Sequence, residues 1–257
     1  MYTTIRFDET APVARLTLDR PDKRNPIGPA LCGELVHALA RIKDDDRFHA
    51  VLLGASGKVF SAGGDLGQMS GQGGAASAIP PATLVELFGA MHALGKPIVA
   101  MVQGHALAGG LGLVVACDLV VASEAAEFGT TEINLGLWPM MITAEIVRSV
   151  GRKKALELML TGERISAREA ERIGLCNRVV APDQLETEAV ALATALAKKS
   201  PMAMRLGLHA FYETQDMEHR VALEHLERQL MAVLSTEDAA EGIAAFFAKR
   251  EPQWKGR

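Results

Sequence analysis

Two glycine-rich turns are the segments of this sequence best suited to stabilising a charged intermediate. The first is FSAGGDL at 60–66, and the second is GHALAGGLG at 104–112. Each turn follows an apolar run, so each can end a buried strand and present backbone N–H groups at the start of a helix. Two such donors aimed at one point form an oxyanion hole. Glycine after a strand is often structural, so a packing interpretation of each turn stays open.

One carboxyl group, that of Glu132, lies in a context that suits proton transfer. It stands in the segment EFGTTEINLGLWP at 127–139, between Thr131 and Ile133. A carboxyl group partly removed from water has a raised pKa, which suits general acid–base catalysis near neutral pH. The other interpretation is a half-exposed glutamate without a function, and spacing alone favours that one.

Composition and motifs exclude several other classes of protein. The sequence has no P-loop, no GxSxG elbow, no HExxH and no well-formed GxGxxG between a strand and a helix. Its three cysteines are scattered, which suits a reducing compartment. A net charge of −4 argues against a nucleic-acid surface, and no apolar run approaches the roughly 20 residues that cross a bilayer. We therefore expect a cytoplasmic protein that binds neither nucleic acid nor a membrane.

The elements that must position these residues alternate along the first half of the chain. The patterns predict helices at 33–44 and 83–94, and strands at Val13–Asp19, Ala50–Ala55, Pro97–Val102 and Asp118–Ala122. This order favours an α/β fold with parallel strands. The Gly-, Ala- and Ser-rich stretch at 67–81 is a loop, either a lid over the first turn or a surface excursion.

The second half is predicted to be almost entirely helical from about residue 143. A capping-box pattern joins Ser166 to Glu169, and Gly174 can end the helix that begins there. Further amphipathic helices are predicted at 183–198, 201–213, 216–235 and 237–249. Their apolar faces are candidates for contacts between subunits.

The sequence resembles the crotonase superfamily, the enoyl-CoA hydratase/isomerase family. Six segments in the family's order carry the resemblance: LDRPDKRNPI, FSAGGDL, KPIVAMVQGHALAGGLGLVVACDLVVAS, FGTTEINLGLWP, LTGERISAREAERIGL and AFFAKREPQW. The resemblance implies an α/β fold with a ββα-spiral core at 1–195 and a C-terminal helical region at 196–257. That region is implied to build homotrimers, usually stacked as hexamers. The implied substrate is an acyl-CoA thioester, with no cofactor beyond the coenzyme A that it carries.

The resemblance also implies roles for single residues. The thioester carbonyl is implied to lie between the backbone N–H groups of Gly64 and Gly109, with Glu132 as the acid–base group. Asp118 is then a structural partner near the start of a strand. Contacts with the coenzyme A or acyl part of the substrate are implied for Ala62, Gly63, Asp65, Leu66, Lys23, Arg24, Trp138, Phe246 and Lys249.

The sequence departs from the usual hydratases of the family at one of their two glutamates. The second aligns with Glu132, whereas the position of the first, three residues beyond the oxyanion glycine, is Gly112. The stretch that begins at Met140 is also about one residue shorter than usual. His105 and Glu145 lie nearby in sequence, and we expect a packing histidine and a glutamate on a helix surface.

A single carboxylate limits the reactions to be considered. It can relay a proton from water to carbon at some loss of rate, whereas moving a double bond needs only one base. We predict hydration of a 2-enoyl-CoA to a 3-hydroxyacyl-CoA. The alternatives are Δ3–Δ2 enoyl-CoA isomerisation and acyl-CoA binding without catalysis.

Overall fold

Parallel strands form the centre of the structure, a computed structural model that describes residues 2–69 and 77–257 except for the side chains of Leu66 and Met69. The strands are β1 (Ile5–Asp8), β2 (Val13–Leu18), β3 (Ala50–Ala55), β4 (Ile98–Val102), β5 (Ala106–Leu107), β6 (Leu119–Ser123), β7 (Glu127–Gly129), β8 (Ile165–Ser166) and β9 (Arg178–Val180). The main sheet has the order β1-β2-β3-β4-β6-β9, and β5, β7 and β8 form a smaller one. In the main sheet only the β1–β2 pairing is antiparallel.

Helices cover both faces of the main sheet. They are α1 (Pro29–Lys43), α2 (Leu66–Met69), α3 (Leu84–His92), α4 (Gly109–Val115), α5 (Met140–Thr161), α6 (Ala167–Arg172), α7 (Leu185–Ala197), α8 (Pro201–Thr214), α9 (His219–Leu234) and α10 (Glu237–Ala248). Short 3-10 helices span Pro21–Lys23 and Thr131–Leu135. No helix in the described ranges is both long and apolar enough to span a membrane.

The alternation of side chains along the strands divides the core into two clusters. In β3, Leu53 joins the large cluster beneath α1, α3 and α4, whereas Leu52 faces the opposite way. There Leu52 packs with Leu185 and Ala189 of α7. Because both faces are buried, the central strands are continuous apolar runs, which explains why the sequence identified them so clearly.

The prediction of an α/β fold with parallel strands is confirmed, and the second half is mainly helical as predicted, but two short strands in it were missed. β8 and β9 lie in that half, and β9 extends the main sheet by pairing with β6. β1, at the other edge of the sheet, was missed as well. Strands of two to four residues are too short to show a period, so tertiary pairing determines them.

The N-termini of α6 and α3 test the capping pattern that was predicted from the sequence. Ser166 Oγ accepts a hydrogen bond from the Glu169 N–H at 3.2 Å, but the Glu169 carboxylate binds Arg172 instead of closing the box. The complete capping box, which was not predicted, joins Thr83 and Glu86 at the start of α3. Gly174, with φ at +85°, follows α6 as predicted.

The loop predicted at 67–81 lies partly outside the described residues, at 70–76. Its described end packs tightly, because a Cβ on Gly33 would come within 2.1 Å of the Pro80 carbonyl oxygen. The predicted boundary between residues 195 and 196 falls in the last turn of α7, which packs on the sheet. The division into a core and a C-terminal region therefore stays a prediction.

A partly buried polar cluster attaches α8 to the core. Asp118 Oδ2 accepts a hydrogen bond from the Ile98 N–H at 2.7 Å, and Oδ1 accepts one from the Tyr212 hydroxyl at 2.6 Å. The His92 ring stacks on Tyr212 with centroids 4.2 Å apart. Burial raises the pKa of Asp118, while its two hydrogen bonds act in the opposite direction. The structural role expected for Asp118 agrees with these contacts.

We expect Tyr212→Phe to lower the free energy of unfolding by about 1.5–3 kcal/mol, because it removes a hydrogen bond to a buried carboxyl group. Tyr2 is the only other tyrosine, and its hydroxyl contacts His37 at the surface. Tyr2→Phe should therefore change stability by less than about 0.5 kcal/mol. Urea unfolding at one fixed protein concentration compares the two variants. Equal changes in the free energy of unfolding would show that the hydrogen bond between Tyr212 and Asp118 adds no stability.

Candidate active site

A largely apolar cavity of about 710 Å³ opens where the two glycine-rich turns meet. Its walls come from the start of α1, the first turn, the start of α4, the 3-10 helix Thr131–Leu135 and the first residues of α5. The volume is typical of small-molecule sites. Because these segments are far apart in sequence, the fold itself assembles the cavity.

The first turn exposes the backbone N–H of Gly64 to this cavity. The neighbouring groups are engaged, because the Ile27 N–H donates to the Gly63 carbonyl at 2.7 Å and the Asp65 N–H donates to the Ile27 carbonyl at 2.9 Å. The Gly64 N–H has no partner among the described residues. Gly63 has φ at +103°, and a Cβ there would lie 2.6 Å from Ala108 Cβ. Glycine at 63 therefore lets the two turns approach each other.

The second turn places Gly109 at the start of α4, facing the same space. A first-turn N–H has no acceptor within its own helix, and the positive end of the helix dipole lies there. The preceding Ala108 is held at φ 51° and ψ −129°, and its N–H donates to the Gly129 carbonyl at 2.8 Å. A Cβ on Gly109 would lie 3.9 Å from the Gly64 nitrogen. Gly64 and Gly109 are thus neighbours on the cavity wall, a placement that suits an oxyanion hole.

Glu132 contributes an unpaired carboxylate to the cavity. It lies in the 3-10 helix Thr131–Leu135, and its side chain is half-buried. Its Oε2 atom is buried and has no hydrogen-bond partner in the described structure. Burial raises the pKa of this carboxyl group. An unpaired carboxylate with a raised pKa, in a cleft, has the properties of a general acid or base.

The wall at Gly112 is closed by an aliphatic side chain. A Cβ on Gly112 would lie 2.1 Å from Ile142 Cγ2, and Ile142 is only 2% exposed. Cys32 also lines the cavity, and burial raises the pKa of its thiol to about 12, so it is neutral. Among the described lining residues, Glu132 is therefore the only one with a charge near neutral pH.

We expect Gly112→Ala to destabilise the protein by about 2 kcal/mol, although alanine is the better helix former by about 1 kcal/mol. The new Cβ would also lie 2.8 Å from Ile142 Cβ, so rotating that side chain gives no relief. The matched control is Gly89→Ala in α3, where a Cβ meets nothing within 4 Å. It should raise stability by about 0.5–1 kcal/mol. Thermal unfolding of both variants tests the opposite signs.

The structure brings some of the sequence-predicted contact residues to the cavity and not others. Ala62 and Trp138 line it, while Gly63 is buried and does not. Asp65 caps α2 by accepting from the Gln68 N–H at 3.2 Å and faces Arg20 at 3.7 Å. The side chain of Leu66 lies outside the described structure.

Four other predicted contacts are not among the described lining residues of the cavity, namely Lys23, Arg24, Phe246 and Lys249. Lys23 and Arg24 are exposed, although the Arg24 carbonyl accepts a hydrogen bond from the Ala62 N–H at 2.9 Å. Phe246, 78% exposed, and Lys249 lie at the end of α10. Their contact with a bound coenzyme A stays a prediction.

His105 and Glu145 do not line the cavity either. His105 Nδ1 lies 3.3 Å from a carboxylate oxygen of Glu127, which agrees with a packing role. The expectation that Glu145 lies on a helix surface is wrong, because its side chain is only 12% exposed. Its Oε2 lies 3.5 Å from His92 Nε2, so α5 turns this residue toward the polar cluster around Asp118.

One positioning residue near the site, Asn25, was missed by the sequence analysis. It is fully buried, and its side-chain amide donates to the carbonyls of Ser56 and Val59. Its Oδ1 accepts from the Arg20 N–H, so it ties the loop before α1 to the first turn. The only sign of Asn25 in the sequence was its place in the segment LDRPDKRNPI. Its burial, which shows its role, depends on the fold.

Comparison with known proteins agrees with this geometry. The family model described as Enoyl-CoA hydratase/isomerase matches residues 8–257. The chain is 38% identical to a putative enoyl-CoA hydratase of Thermus thermophilus, over 96% of this chain and 98% of that one. It is also 38% identical to the 2,3-dehydroadipyl-CoA hydratase of Escherichia coli, over 95% and 96%. The crystal structure of an enoyl-CoA hydratase from Mycobacterium smegmatis superimposes with a TM-score of 0.88 at 33% identity, covering 98% and 99%.

These matches define the class of protein: an enzyme with the crotonase fold whose substrates are acyl-CoA thioesters. The chain belongs to the enoyl-CoA hydratase/isomerase family. The resemblance drawn from the six sequence segments is thereby confirmed.

Proposed function

We propose that the protein hydrates a 2-enoyl-CoA, with the N–H groups of Gly64 and Gly109 as the oxyanion hole and Glu132 as its acid–base group. The observation that carries the proposal is the buried Oε2 of Glu132, which has no hydrogen-bond partner among the described residues, in the cavity that Gly64 and Gly109 also line. The hydratase names of several relatives support the choice of reaction.

The geometry supports the following sequence of steps. The thioester carbonyl oxygen accepts hydrogen bonds from both N–H groups, which makes the β-carbon electrophilic and stabilises the enolate. Glu132 accepts a proton from water as the water oxygen bonds to the β-carbon. The same carboxyl group then donates that proton to the α-carbon. The carboxylate is regenerated, and one water has been added across the double bond.

A specific observation favours a second candidate, Δ3–Δ2 isomerisation. Ile142 occupies the wall at Gly112, so the described cavity offers one carboxylate and an aliphatic surface. Moving a double bond requires only that Glu132 remove a proton from one carbon and return it to another. No second group needs to hold a water.

A paired spectrophotometric assay tests both reactions. Hydration removes the absorbance of a conjugated 2-enoyl thioester, whereas isomerisation of a 3-enoyl-CoA creates it. We expect loss of absorbance with the 2-enoyl substrate. If absorbance changes only with the 3-enoyl substrate, where it rises, the protein is an isomerase and the proposal of hydration is wrong. Failure of both substrates would remove both candidates.

We further propose that the reaction needs no metal or redox cofactor, because hydration is redox-neutral and the oxyanion hole itself polarises the carbonyl. Prior treatment with a chelator should leave kcat unchanged. A loss of activity restored by a divalent cation would contradict this proposal.

We also propose that copies of the chain associate as a trimer or hexamer through the C-terminal helices. In α9 no residue is buried, and Leu223, Leu226 and Leu230 recur at helical spacing with about half of each exposed. Such an apolar stripe is typical of a helix that packs against a partner. Sedimentation of the wild type and of Leu230→Glu tests this, and a monomeric wild type would contradict it.

A further inference from the structure

The charge of the cavity wall bears on which acyl groups can enter. Its described lining residues include no lysine, arginine or histidine, and Glu132 carries the only charge. The described part of the wall therefore holds no cation to balance a second negative charge.

Apart from Thr83, Thr131 and Glu132, the described side chains of the wall are apolar from its inner end to its mouth. Ile142, Cys32 and Ala108 are buried there, and Leu84 is partly buried beside them. At the mouth, the lining residues Leu135, Leu137, Met140 and Met141 are large, apolar and exposed. An acyl chain that passes between these residues contacts carbon and sulfur atoms along most of its length.

We infer that this site selects uncharged acyl chains and rejects acyl-CoA thioesters that end in a carboxylate. The inference rests on the proposed function, because it takes this cavity as the acyl site. A terminal carboxylate would lose its hydration without gaining a counter-ion, and it would be repelled by the Glu132 carboxylate. An apolar end of the same length incurs neither cost.

Calorimetric binding of three saturated acyl-CoA thioesters tests the inference. The first has a plain alkyl chain, the second ends in a carboxylate at matched length, and the third is the methyl ester of the second. We expect the carboxylate form to bind about 100-fold more weakly than either neutral form. The ester separates the effect of charge from that of length. Equal binding of all three would overturn the inference.

The corresponding 2-enoyl thioesters separate this inference from the proposed reaction. If the neutral forms bind and the charged form does not, but none is turned over, the reaction is wrong and the selectivity stands. If neutral and charged substrates are hydrated equally well, the reaction stands and the selectivity is wrong.

A substitution that adds a positive charge to the wall tests whether the acyl chain binds in this cavity. Met141 is 51% exposed on the wall, so an arginine can be placed there without a buried charge. Met141→Arg should raise affinity for the carboxylate form by about 10-fold or more and leave the ester unchanged. Leu160→Arg, near the other end of α5 and 59% exposed outside the cavity, is the matched control. An unchanged ratio of affinities in Met141→Arg would contradict binding of the acyl chain in this cavity.

Discussion

Gly109→Ala is expected to lower kcat/KM at least about 100-fold while changing the free energy of unfolding by less than about 1 kcal/mol. The new methyl group would lie 3.7 Å from Ile27, an ordinary contact, so the fold accepts it. It would also lie 3.9 Å from the Gly64 nitrogen, beside the position that we propose for the thioester oxygen. Enoyl-CoA turnover and urea unfolding of the same preparation measure the two effects.

Gly207→Ala is the matched control for this prediction. Gly207 lies in α8, where a Cβ meets nothing within 4 Å, so the same change should stabilise the protein slightly and leave turnover unaltered. Wild-type turnover in Gly109→Ala would show that the carbonyl does not bind between the two N–H groups. A large loss of stability would instead show that the turn does not tolerate a side chain.

Glu132→Gln should lower kcat by about 10²–10⁴ with little change in acyl-CoA affinity. The amide keeps the size of the side chain but cannot accept and return a proton. Glu145→Gln, a carboxyl group that contacts His92 outside the cavity, should retain most of the activity. If the two variants lost activity to the same extent, Glu132 would not be the acid–base group.

The raised pKa of Glu132 also gives the wild-type rate a pH dependence. In the proposed mechanism Glu132 is the first proton acceptor, so it must be ionised in the free enzyme. Because burial disfavours that form, kcat/KM should fall as the pH drops through a value above the ordinary range of a glutamate. A rate that is flat until the ordinary carboxyl range is reached would place the limiting proton transfer elsewhere.

The order of strands and helices around the site could be predicted from the sequence, because the spacing of apolar residues in a long segment indicates whether it is a helix or a strand. The strand Ala50–Ala55 has the predicted bounds. Both glycine-rich turns were also identified correctly as ends of buried strands. β9 could not be identified in this way, because its three residues are a strand only through their pairing with β6.

The sequence by itself determined the α/β class, the family, the two glycine-rich turns and the single candidate glutamate, since each depends on residues close together along the chain. Only the tertiary structure decided how these parts meet. It brought Gly64 beside Gly109, left the Glu132 carboxylate unpaired and placed Ile142 against Gly112. It also directed Glu145 away from the cavity. These relations join segments dozens of residues apart, and packing fixes them because a buried atom must fit all of its neighbours at once.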